Sequence, residues 1–308
     1  MAVKSMKLTR REFIKLGLGA GLTMMANPFS NLLFAEENKT KEPDMVGIQN
    51  GTAAEMFERG IKELGGMSRF VKKDQTVVVK PNIGWAKTPA DGATTQPDLV
   101  AKIIEHAYKA GAKKVYVFDN TCNNWQECYK SSGIEKAATG ASASVAPANK
   151  EASYKKRDAG GKTLKDVMVH ELYLEADVVI NVPVLKHHGS ATMTSALKNL
   201  MGVVWDRRFY HGKGLHECIA EFAAVRKPDL NIIDAYQVMT RNGPRGISKS
   251  DIALRRMQII GTDMVALDAA AAKVMELDPA KINHIVMADK LGIGTMNLDK
   301  LSIKRVTL

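Results

Sequence analysis

Short runs of β-branched residues alternate along this chain with segments in which apolar residues recur every three or four positions. That alternation predicts strands separated by helices. Residues 46–48, 76–80, 115–118, 178–182, 230–234, 257–261 and 301–306 read as strands, and Pro81 and Pro183 end two of them because proline has no ladder N–H. Helices are predicted over 52–64, with Thr52 as cap and Gly65 and Gly66 closing it, and over 97–110. Others begin near 131 and near 192, and more cover 215–225, 264–275 behind the cap Asp263, and 282–291. The fold class expected is α/β: a mostly parallel sheet covered by helices on both faces, in a single main domain.

The stretch 178–202, VVINVPVLKHHGSATMTSALKNLMG, is the expected working centre. A buried strand leads into a polar turn with Lys186, His187, His188 and Gly189. A helix then starts near Thr192, capped by Ser190 or Thr192, with Met193, Leu197, Leu200 and Val204 on one stripe. A helix start offers free N–H groups and partial positive charge, so with a lysine beside it the place suits an anion.

In a parallel sheet, ligands gather beyond the carboxyl ends of the strands. Those ends carry Lys80 and Asn82, then Asp119, Asn120 and Cys122, then Asn181 with Lys186, His187 and His188, and finally Asp234 and Asp263. The neighbours His187 and His188 face opposite ways if extended, and His188 beside Gly189 is taken as the inward one. His188 is then the candidate acid–base group and Lys186 the candidate charge stabiliser. Lys80, Asn82, Asn181, Lys198 and Asn199 are candidate ligand-binding residues. His188 with Asp119, Asp234 and Asp263 is a candidate set for a divalent metal ion.

The lysines either clamp an anion by charge, or one of them is a lowered-pKa amine of the Schiff-base type; sequence does not report the desolvation that would decide. The asparagines either bind ligand or tie loops together. His211 and His216 flank a glycine-containing turn placed to close over the centre, or serve as a polar helix entry. No GxGxxG turn, GxxxxGK[ST] loop or Ser-His-Asp order is present.

The first 35 residues change the picture of where the protein works. Residues 9–17, TRREFIKLG, resemble a bacterial twin-arginine export signal, with Arg10 and Arg11 as the pair and a glycine-diluted apolar stretch behind. The expected organisation is a signal over 1–35, a linker over 36–44 and an α/β domain over 45–308. The apolar stretch is too short for a permanent span, so membrane contact is expected only through an uncleaved signal. The export machinery is one expected partner, and the expected location is periplasmic or extracellular.

The net charge of the 308-residue chain is +11, of which Lys4, Lys7, Arg10, Arg11 and Lys15 against Glu12 supply four, leaving +7 elsewhere. With aromatics at 6% and no arginine-rich arm, nucleic acid is not an expected partner. Cys122 and Cys128 either pair as a small disulfide, which leaves Cys218 alone, or stay ordinary thiols, or Cys122 serves as a ligand or nucleophile.

The segments VVVKPNIGW, DNTCNNW, NVPVLKHH, TSALKNLMG and IIGTDMVALDAAAA together resemble the uncharacterised family Domain of Unknown Function 362, over roughly residue 46 to the C-terminus. Some members of that family carry ferredoxin-like iron–sulfur modules. This chain, with three cysteines and no CxxCxxC run, resembles the core domain alone, and no ferredoxin-type cofactor is expected. The expected function is an exported protein that binds a small anionic ligand, with or without a metal ion, at the carboxyl edge of the sheet. The alternative is a non-catalytic accessory of a periplasmic redox or transport assembly.

Overall fold

The computed structural model describes residues 42–308, so the signal reading and most of the linker lie outside the described residues. The first half runs β1 (Met45–Gln49), α1 (Ala53–Glu63), β2 (Thr76–Pro81), α2 (Pro97–Lys109), β3 (Lys114–Val117), α3 (Trp125–Ser131), α4 (Ile134–Gly140) and β4 (Ser144–Val145). A hairpin of β5 (Tyr154–Asp158) and β6 (Asp166–His170) follows, then α5 (Glu171–Glu175), β7 (Val178–Val182), β8 (Val184–His188) and β9 (Thr192–Thr194). The rest is α6 (Ala196–Asn199), α7 (Arg208–Lys213), α8 (Leu215–Phe222), β10 (Leu230–Met239), β11 (Ile252–Gly261), α9 (Met264–Val274), α10 (Asn283–Lys290) and β12 (Ile303–Thr307).

Ten of the strands form one sheet in the order β12-β1-β11-β10-β7-β2-β3-β4, with β8 branching onto β10 and carrying β9, while β5 and β6 pair only with each other. Every pairing in this sheet is parallel except those made by β11, with β1 and β10, and by β9, with β8; the separate β5–β6 pair is antiparallel. The class is therefore α/β with a mostly parallel sheet in one domain. No helix among the described residues is long and apolar enough to cross a membrane.

Strand alternation divides the side chains between two cores. Val77, Val79, Val115, Val117, Ile180 and Val182 face α1 to α4, against residues such as Phe57, Ile103 and Ile134. Val78, Phe118 and Val179 face the other way, toward Leu197, Ile219, Ala270 and Ile285 of α6, α8, α9 and α10. Lys80 and Asn181 stand at positions of this second set, level with each other across β2 and β7, and both are fully buried. Polar side chains are thus carried under the helices at the carboxyl ends of the strands.

Three expectations need correction. Lys186, His187 and His188 lie on a strand, β8, and not in a turn: Pro183 interrupts the ladder for one residue, after which Val184 pairs beside Asp234 of β10. The following helix starts at Ala196, not near Thr192, because residues 192–194 turn back as β9 with Thr192 at φ 67°. Met193 therefore sits on a strand. Its helix start is also already filled: the buried Asp268 carboxylate accepts from Ala196 N at 2.6 Å and Leu197 N at 3.1 Å. A carboxyl group of the chain itself, its pKa raised to about 7 by burial, occupies the N–H groups that were expected to hold a ligand.

The third correction concerns β11, which runs against its neighbours and starts earlier, at Ile252. Its exposed first half, with Arg255 and Arg256, hides the strand from a hydrophobic pattern. Reversal sends Asp263 to the other edge of the sheet, where its carboxylate caps α9 through Val265 N and Ala266 N and also accepts from Thr295 N.

Candidate functional site

At the carboxyl edge a chain of side-chain amides links two lysines. Lys186 Nζ donates to Asn82 Oδ1 at 2.8 Å and to Ala93 O at 2.5 Å. Asn82 Nδ2 donates to Asn199 Oδ1 at 2.9 Å, and the same oxygen accepts from Lys80 Nζ at 3.1 Å. Asn199 Nδ2 donates to Asn181 Oδ1 at 2.8 Å, and Asn181 Nδ2 passes on to Ala196 O and Asn231 Oδ1. Lys80 Nζ closes the far end with an ion pair to Asp119 Oδ1 at 2.7 Å, and Asp119 Oδ2 accepts from Ile83 N at 2.6 Å. Both partners are buried, so the pair is shielded from solvent screening and depends on its hydrogen bonds. Burial pulls the Lys80 pKa down while Asp119 pushes it up.

Gly202 makes this geometry possible. A Cβ there would stand 1.8 Å from Asp119 Oδ1 and 2.7 Å from Lys80 Nζ. Gly202→Ala is expected to cost about 3 kcal/mol by forcing the pair apart. Urea unfolding checks this, and in a Gly202→Ala/Asp119→Ala double variant the two costs should fall well short of adding.

Above the network lies a cavity of about 450 Å³, lined in part by Lys186, Lys198, His188, Arg207, Asn82 and Asn199. Among the described residues Asp119, already paired with Lys80, is the one carboxylic acid in its lining. Lys198 is 8% exposed, and among the described residues its Nζ has a single recorded hydrogen-bond partner, the weak acceptor Met201 Sδ at 3.3 Å. Burial lowers its pKa to about 8, with Arg207 adding to the effect. Burial, then Lys198, lowers that of Lys186 to about 7. Arg207 reaches the rim by donating to Asn120 O and Thr121 O. The cavity therefore holds more positive charge than its own acid offsets.

His188 lines the cavity, and its ring lies nearly parallel to that of His211, with centroids 6.5 Å apart. Its Nδ1 accepts from Ser190 N and Ala191 N, both at 3.3 Å. Such a ring, when neutral, carries its proton on Nε2. Burial and the nearby lysines hold its pKa down at about 3. With Nδ1 accepting, a neutral His188 has its Nε2–H as a hydrogen-bond donor. The same tautomer leaves no lone pair on Nε2 for a metal, because ligating histidines donate from their second nitrogen where this one accepts.

The candidate metal set does not converge. Asp119 is paired with Lys80, Asp263 caps α9 at the other edge, and Asp234 is fully buried, accepting from Gln96 N and Tyr236 N. Burial raises the Asp234 pKa to about 7, in keeping with a carboxyl that faces no cation. Among the described residues no group of three or more His, Cys, Asp or Glu side chains is placed to hold a metal ion.

Of the candidate ligand-binding residues, Asn82, Lys198 and Asn199 line the cavity, while Lys80 and Asn181 lie behind it as supports. His187 points away and accepts from Gly243 N, and His216 meets His284 at 3.1 Å. Cys122, Cys128 and Cys218 are free thiols, so the small disulfide is not formed; Cys122 lines the cavity within 3.4 Å of Arg207. Sequence reasoning missed Arg207 and Asp268. The lone acid in the alanine-rich run 264–275 was the available signal for Asp268, since a carboxylate in so apolar a helix must be satisfied by something.

Residues 77–273 match the family described as Domain of unknown function (DUF362). The chain is 27% identical to the Thylakoid-associated protein sll1697 of Synechocystis sp. over 242 residues, which cover 76% of this chain and 73% of that protein. Among solved structures, the lactate racemase apoprotein from Thermoanaerobacterium thermosaccharolyticum aligns at a TM-score of 0.46 and 11% identity, over 77% of this chain. A protein from Thermotoga maritima aligns at 0.42 and 14% identity, over 72% of this chain. The chain spans 58% of each of these two structures. With its motifs carried on β2, β3, β7, β8 and α6, the chain belongs to the family Domain of unknown function (DUF362).

Proposed function

We propose that this is an exported protein that binds a small organic anion in the cavity at the carboxyl edge of its sheet. The observation that carries this reading is Lys198: a buried ammonium beside Lys186 and Arg207 with no carboxylate partner among the described residues. Such a charge is costly to bury alone, and an anionic ligand is the partner that would offset it. A volume of about 450 Å³ suits a ligand of metabolite size. Lys198 and Arg207 supply charge, His188 supplies a neutral Nε2–H, and the Asn82–Asn199 amides hold the wall. Export rests on the twin-arginine resemblance of residues 9–17.

A panel of mono-, di- and tricarboxylates and phosphate esters, screened by thermal shift and followed by calorimetry, tests the reading. Saturable binding of one class with one-to-one stoichiometry is the expected result. No stabilisation by any of them at millimolar concentration would overturn it.

Affinity should also depend on pH with a definite sign. The ligand prefers protonated Lys198, whose pKa in the free protein is about 8. Raising the pH past that value should weaken binding by up to about tenfold per unit. Titrations across that range check it, and an affinity flat through that range would contradict it.

A further inference from the structure

We propose that Lys186 is a nucleophile, its amine forming an imine with the carbonyl carbon of a 2-oxo carboxylate seated in the cavity. This deepens the anion reading and rests on it, because the ligand's carboxylate takes the place beside Lys198 and Arg207.

The support begins with a count of hydrogens. Lys186 Nζ has two recorded acceptors, Asn82 Oδ1 and Ala93 O. A neutral amine has two N–H bonds and one lone pair, so both hydrogens are used; an ammonium would carry a third with no acceptor among the described residues. Since Lys186 lines the cavity, the lone pair is the part of the nitrogen left to face it.

The surroundings favour the same state. Lys186 is 2% exposed, and the one acid in the cavity wall is tied to Lys80, so no free carboxylate holds it as a cation. A second lysine near the first, Lys198, disfavours the charged amine further, a known way of activating lysine. Burial lowers the pKa of both lysines, and the charge of Lys198 lowers that of Lys186 further, so Lys186 gives up its proton first. Lys80 cannot take the role, being paired with Asp119 behind the cavity.

In the step itself, the Nζ lone pair attacks the carbonyl carbon and forms a C–N bond. The C–O bond then breaks, and the oxygen leaves as water with the two hydrogens the amine carried. Nothing is oxidised or reduced. His188 Nε2–H and the Lys198 ammonium are the donors in the wall that can steady charge on the departing oxygen.

The test traps the imine. Full-length protein is incubated with pyruvate or 2-oxoglutarate and sodium cyanoborohydride between about pH 7 and 8, then digested and mapped by mass spectrometry. The expected result is a reduced adduct on the peptide that contains Lys186. It should be lost in Lys186→Arg and Lys186→Met, and lowered about tenfold or more in Lys198→Met at equal ligand.

The matching 2-hydroxy acids, lactate and 2-hydroxyglutarate, carry the same carboxylates without the carbonyl and are titrated in parallel by calorimetry. If they bind but no adduct forms at Lys186, the imine is overturned and the anion site stands. Adducts spread over surface lysines also overturn it. If neither acid binds and no adduct forms, the imine is overturned, and the anion reading falls with it only if the whole carboxylate and phosphate-ester panel also fails to bind.

Discussion

Asp119→Ala is expected to lower the stability of the folded chain by about 3–5 kcal/mol, the cost of leaving a buried charge unpaired. Lys80 is fully buried and Asp119 is 2% exposed, so losing the carboxylate leaves a desolvated ammonium without its counter-charge. The change also orphans Ile83 N, which donates to Asp119 Oδ2. Asp119→Asn keeps an acceptor for that N–H and should lose less. Lys80→Met/Asp119→Ala should recover much of the loss, because an apolar pair of suitable volume leaves no bare charge. Urea unfolding of the single and double variants completes the cycle; additive costs would mean that the two side chains do not act as a pair.

Lys198→Met should separate stability from function. Removing a charged hydrogen bond from a desolvated site is expected to weaken anion binding by about 2–4 kcal/mol, roughly 30- to 1,000-fold. The free protein should become more stable by about 1–3 kcal/mol, because the ammonium pays for its burial in a lowered pKa and methionine does not. Calorimetry and thermal unfolding on the same preparation measure both. A variant that loses stability and keeps its affinity would show that Lys198 is a structural residue.

The strand-and-helix pattern was legible wherever an element is apolar on at least one side, as with β2, β7, α1 and α2. It failed where polar residues cover an element's outer surface. β5, YKKRD, reads as an exposed loop, and the start of β11 carries Arg255 and Arg256. Direction was the larger loss. Hydrophobic period does not say which way a strand runs, so Asp263 was counted at an edge it does not reach.

The site was legible in part for the same kind of reason. Residues following β2, β3 and β7 do gather, because parallel strands deliver their C-terminal ends to one place. What those residues do there depends on partners far away in sequence. Asn181 faces Asn199 and Asn231, and the helix start at Ala196 faces Asp268. Burial of Lys186 and Lys198, which decides their chemistry, is likewise a property of the packed chain.

The most direct measurement is calorimetric titration of the full-length protein with a small carboxylate near pH 8, repeated in two buffers of different ionisation enthalpy. Binding accompanied by uptake of a fraction of a proton, with both heat and uptake abolished in Lys198→Met, is the expected result. Binding that persists undiminished in Lys198→Met, or no binding at all, would mean that the anion does not meet this buried charge.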